Sequence, residues 1–142
     1  QNPVWGQGPL FVVDSAVEVE TITERKIVGV EVRDINFAFD QVEIQAGDKN
    51  NLRQVAEFLQ TNPKAYAVLA GFTDSTGDPE YNLQLSRMRA QSAKNYILEQ
   101  SRIDPDRVVL MWYGAANYIA DNATPEGRNK NRRVEMAIGM LE

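Results

Sequence analysis

The chain has 142 residues, with 15 Lys plus Arg against 20 Asp plus Glu for a net charge of −5, and it contains neither His nor Cys. The length indicates one domain, and the acidic balance argues against nucleic acid as the main partner. The missing His and Cys exclude a His-assisted triad, a thiol nucleophile, a disulfide and a zinc site of the usual ligand types.

A metal would need an all-oxygen cage, which the sequence does not show, and no cofactor is expected. At 43% hydrophobic and 25% charged, the composition is that of a globular domain. The longest apolar run is too short for a membrane-spanning helix, so membrane association is expected only through regions outside this chain. The first residue is Gln1, and Gln1 to Leu10 lacks the basic start and apolar core of a signal peptide. The sequence therefore reads as a piece of a longer precursor or a processed product.

In chain order, Gln1 to Leu10 holds two Pro and two Gly and reads as a loop or tail. Val17, Val19 and Thr21, then Val28, Val30 and Val32, alternate as a hairpin or edge strand. The phase shifts at Arg33-Asp34, after which Ile35, Phe37 and Phe39 predict a core strand ending at Asp40. Leu52, Val55, Ala56 and Leu59 have amphipathic helical spacing from Asp48 to Gln60, and Pro63 stops the helix. Ala65 to Phe72 is apolar on both parities, as a deeply buried strand is, so these elements read as a βαβ unit. Asp78-Pro79-Glu80 opens a second helix to about Gln100, with Asp78 as N-cap. A turn at Asp104-Pro105, a strand from Arg107 to Tyr113, a short helical turn capped by Thr124-Pro125-Glu126, and a last strand with Val134, Met136, Ile138 and Met140 on one buried face complete the order.

The second helix carries the anomaly. At about 100° per residue, Asn82, Ser86 and Arg89 fall on its inward face, and an Arg inside an apolar stripe is costly unless it is paired and hydrogen-bonded. Arg89 either bridges to a carboxylate at the edge of the core or anchors a ligand. Asp74, in the loop Gly71-Phe72-Thr73-Asp74-Ser75-Thr76-Gly77, lies at the carboxyl end of the buried strand, where α/β sheets tend to bind ligands. It reads equally as an Asx-turn residue. An Asp and an Arg together suit a zwitterion, one accepting from an ammonium and the other gripping a carboxylate. The basic run Gly127 to Arg133 reads at face value as a solvated turn, with Arg132 on the strand side of Val134 and Met136 and Arg133 on that of Glu135. Asp40 could face the same crevice as Asp74, yet no further acid-base feature supports a glycosidase.

Asn36-Phe37-Ala38-Phe39-Asp40 with Glu43-Ile44, GFTDSTG at 71–77, YNLQLSRMRA at 81–90, IADNATPEGR at 119–128 and NRRVE at 131–135 together resemble the OmpA-like peptidoglycan-binding domain family. The resemblance implies an α/β (α+β) two-layer sandwich of βαβαββ order, with a mixed sheet and helices on one face. It places the domain at residues 35–142, with 1–34 as an N-terminal tail, short added strands or linker. It implies capture of the meso-diaminopimelate stem peptide of peptidoglycan by Thr73 and Asp74 of the Thr-Asp loop, Asn82 and Arg89 of the helix, Asp40 at the strand end, and Arg132 of the Asn-Arg-Arg motif. Phe72 is a departure, since the family commonly has His there.

By the same resemblance the protein is expected in the periplasm, associated with the outer membrane, as a non-catalytic tether to the cell wall. An enzyme acting on wall glycan or peptide is the alternative, disfavoured by the missing His and Cys and by an Asp placed near an Arg instead of a second acid.

Overall fold

A computed structural model describes residues 27–141 of the chain, so the expected strand residues Val17 to Thr21 and the tail before them lie outside the described residues. The elements are β1 (Ile27–Asn36), α1 (Ala46–Thr61), β2 (Ala65–Gly71), α2 (Pro79–Glu99), a 3-10 turn (Pro105–Arg107), β3 (Val108–Trp112), α3 (Pro125–Asn131) and β4 (Arg133–Leu141). The four strands form one mixed sheet in the order β1-β4-β2-β3. β4 runs antiparallel to both of its neighbours, and β2 and β3 are parallel. The fold is the α+β class with the element order that the sequence suggests, α3 being the short helical turn between the last two strands.

Three local readings change in the assembled sheet. β1 and β2 are parallel but not adjacent, because β4 is inserted between them, so the expected βαβ unit is split. β1 ends at Asn36 rather than Asp40 because its partner begins at Arg133, which pairs with Asn36. The phase shift in β1 falls between Val28 and Glu31, where the register against β4 slips, and not at Arg33-Asp34.

α1 buries Leu52, Val55, Ala56 and Leu59, the residues its periodicity selects. α2 opens as predicted, with Asp78 accepting a hydrogen bond from the Tyr81 backbone N–H and Pro79 in the first turn, where its missing N–H costs nothing. Its inward face buries Ala90, Ala93 and Ile97 against the odd-numbered residues of β2 and the even-numbered residues of β4. The approach is close enough that a Cβ at Gly71 would lie 1.9 Å from the Ser86 carbonyl oxygen, so only glycine fits there.

β4 is buried on both faces, not one. Val134, Met136 and Ile138 face the helices, while Arg133, Glu135 and Ala137 are buried on the opposite side. Two charged residues are tolerated there because Arg133 Nε stands 2.8 Å from Glu135 Oε2, while its Nη1 and Nη2 donate to the Asn131 and Asn117 carbonyls. Burial pushes the Glu135 carboxyl above its usual range even though Arg133 pulls it down.

Candidate functional site

At one end of the sheet, the carboxyl ends of β1 and β2, the N-terminus of α2 and the start of β4 surround a cavity of about 270 Å³. Its lining includes Asp40, Thr73, Asp74, Asn82, Arg89 and Arg132, the six residues to which the family resemblance points. The structure does not pair them as the sequence suggests.

Asp74 is nearly buried. One carboxylate oxygen accepts the Thr76 backbone N–H at 2.8 Å, and the other lies 3.0 Å from Arg132 Nη1. Burial works against its charge, but the Thr76 N–H and the Arg132 guanidinium outweigh that and hold its carboxyl below the usual carboxylate range. Asp74 is thus both the Asx-turn residue and an ion-pair member. Arg132 also donates from Nε to the Phe37 carbonyl and from Nη2 to Asn129. The basic run is accordingly not a solvated turn: Arg132 walls the cavity, Arg133 is buried behind the sheet, and Arg128 donates to the Asn122 carbonyl.

Arg89 is fully buried and reaches no carboxylate among the described residues. Its Nε, Nη1 and Nη2 donate to the carbonyls of Gln41, Phe72 and Ala38, at 2.9, 3.2 and 3.2 Å, and its guanidinium lies over the Phe37 ring. The bridge to a core-edge carboxylate that the sequence left open is therefore not made; three backbone dipoles from two loops do that work. Three of the five N–H donors are spent, which leaves two. Burial first, then the neighbouring Arg132, lower its pKa to about 10, so it remains a cation at neutral pH.

Thr73 donates its hydroxyl to the Asp74 carbonyl. Asn82 donates from Nδ2 to the Thr76 carbonyl. Ser86, inward-facing as read, does not line the cavity; it accepts the Gly114 backbone N–H and so ties the loop after β3 to α2. Phe39 and Tyr81 are among the lining residues that the sequence reading did not single out. Phe39 alternates with Ile35 and Phe37 as a core residue would, yet it is exposed at the cavity rim. Tyr81 precedes Asn82 in the first helical turn, and its hydroxyl donates to Asp40. Among the described residues no group of three or more Asp or Glu could hold a metal ion.

An α+β domain with a charged cavity at one end of its sheet defines the class of protein. The OmpA family model matches residues 36–132, and the chain belongs to the OmpA family. It is 33% identical over 105 residues to outer membrane porin F of Pseudomonas aeruginosa, covering 74% of this chain and 30% of that protein. It is 38% identical over 104 residues to the peptidoglycan-binding protein ArfA of Mycobacterium tuberculosis, covering 73% and 32%. The chain thus spans about a third of the length of these relatives. Among solved structures, the peptidoglycan-associated lipoprotein of Burkholderia pseudomallei shares the fold, with a TM-score of 0.70 at 24% identity over 78% of this chain and 90% of that one.

Proposed function

We propose that residues 35–142 bind peptidoglycan non-covalently and tether an envelope protein to the cell wall in the periplasm, at the outer membrane, without catalysing a reaction. The observation that carries this reading is two carboxylates and two guanidiniums around one cavity of amino-acid size. Such a cavity suits the distal carbon of diaminopimelate, which bears an ammonium and a carboxylate together. Asp40 and Asp74 would accept from the ammonium, while Arg132 and the two unspent N–H groups of Arg89 would face the carboxylate. The name of the mycobacterial relative, a peptidoglycan-binding protein, supports the same reading, and porin F lends support to the outer-membrane setting.

Lysine offers only the ammonium, so a lysine-type stem would leave buried donors without an acceptor, and polar sites reject such analogues strongly. The expected preference for diaminopimelate-type over lysine-type stem peptide is at least about tenfold, or about 1.4 kcal/mol. Calorimetric titration with the two peptides tests it, and equal affinities refute the specificity. Co-sedimentation with purified sacculi tests the tether: binding without soluble muropeptides is expected, and released muropeptides would point to the enzyme alternative.

A further inference from the structure

Tyr81 and Asp40 meet across the mouth of the cavity from two different elements. Tyr81 stands in the first turn of α2 and is half exposed, and its hydroxyl donates a hydrogen bond to Asp40 Oδ1. Asp40 occupies the turn after β1 with φ at 56°, in the left-handed region that Asp tolerates better than most residues. On an exposed turn, an Asp side chain with no partner samples several rotamers, and each one frozen costs entropy on binding. The Tyr81 contact removes that freedom in advance. It occupies only one carboxylate oxygen; among the described residues no donor reaches Asp40 Oδ2.

A second acceptor stands deeper in the same cavity. Asn82 is 3% exposed; its Nδ2 is satisfied by the Thr76 carbonyl, while its Oδ1 has no donor among the described residues. A buried amide oxygen without a donor is unfavourable until a water or a ligand supplies one. The open hydrogen-bonding capacity on this side of the cavity is therefore for donors, and a primary ammonium brings three.

We infer that Tyr81 is a positioning residue for ligand capture, holding the Asp40 carboxylate at the cavity mouth with Oδ2 open so that Asp40 and Asn82 Oδ1 receive the ligand's ammonium. The inference rests on the reading of the site as one for a zwitterionic stem peptide. It adds Asn82 to Asp40 and Asp74 on the side of the site that receives the amine, with Tyr81 holding Asp40 in place, and leaves the carboxylate to the guanidiniums. Its hydrogen bond to Asp40 raises the pKa of the phenol, so the proton that makes the contact stays in place at neutral and mildly alkaline pH.

The test is calorimetric titration of wild-type protein, Tyr81→Phe, Asp40→Asn and the double variant with a diaminopimelate stem peptide and its des-amino analogue, in which hydrogen replaces the distal amine. Tyr81→Phe is expected to weaken binding of the amine-bearing peptide by about fivefold, the equivalent of about 1 kcal/mol. It should leave the melting temperature and the affinity for the des-amino analogue unchanged. In the Asp40→Asn background the same change should add nothing. Wild-type affinity of Tyr81→Phe for the amine-bearing peptide, equal weakening toward both peptides, or additive losses in the double variant would each overturn the inference while leaving the site reading in place. Failure of the wild-type protein to bind either the peptide or sacculi would overturn both.

Discussion

Arg132, not Arg89, carries the ion pair to Asp74, with Nη1 3.0 Å from Oδ2, and this divides the labour between two guanidiniums on one cavity. Arg132 fixes the Asp74 carboxylate. Arg89 fixes backbone, joining the turn after β1 to the end of β2 through the carbonyls of Ala38, Gln41 and Phe72.

That division makes Arg89→Ala a stability variant before it is a binding variant. Removing the side chain strands three carbonyls and opens a cavity, a loss of about 3 kcal/mol or more. Thermal unfolding should show a decrease on the order of 10 °C. An unchanged melting temperature would mean that the three hydrogen bonds contribute nothing to the fold.

Asp74 should leave a signature in acid. Its pKa is lowered in the folded state from an ordinary value of 3.8, so its contribution to stability is complete above that value and is lost as pH falls through the folded pKa. Urea midpoints of wild-type protein and Asp74→Asn should differ by a constant amount above about pH 5, and the gap should shrink below about pH 4. Glu135, raised by burial, has the opposite sign: its ionisation weighs against the folded state as pH rises toward neutrality. The difference between the two proteins cancels that contribution. A gap independent of pH down to pH 2 would contradict the Asp74 assignment.

Phe72 packs away from the cavity, stacked on Tyr113 with ring centroids 5.5 Å apart and lying 3.9 Å from the Arg133 guanidinium. Phe72→His should therefore keep sacculus binding while lowering stability by about 1 to 3 kcal/mol. Beside Arg133 the imidazolium is disfavoured, so the folded-state pKa of the new His falls. The variant should lose further stability as pH drops through about 6.5. Denaturant titrations at pH 8 and pH 5.5, alongside co-sedimentation, check both halves. A gain in binding would place position 72 in contact with the ligand.

Gly71→Ala tests the contact of β2 with α2. A Cβ 1.9 Å from the Ser86 carbonyl oxygen meets backbone, which cannot swing aside as a flexible side chain does. Overpacking of this kind costs about 3 kcal/mol or more. Circular dichroism should report a strongly destabilised or unfolded protein; wild-type melting would show that the helix shifts freely.

The sequence by itself determined what neighbouring residues encode. The spacing of Leu52, Val55, Ala56 and Leu59 selected the buried face of α1. Asp78 and Pro79 marked the start of α2, and helical angles alone put Asn82, Ser86 and Arg89 on its buried face. Family motifs pointed together to Asp40, Thr73, Asp74, Asn82, Arg89 and Arg132. Tertiary structure decided which of them touch. Asp74 and Arg132 are 58 positions apart, and nothing local distinguishes Arg132 from Arg89 as the partner of Asp74. The choice follows from β4 entering the sheet between β1 and β2, which carries Arg132 to the ends of both strands. The same insertion buries both faces of β4 and ends β1 at Asn36, leaving Phe39 at the cavity rim although it alternates like a core residue. Periodicity and capping are short-range signals carried by contiguous residues, whereas strand order and charge pairing are set by packing across the whole chain.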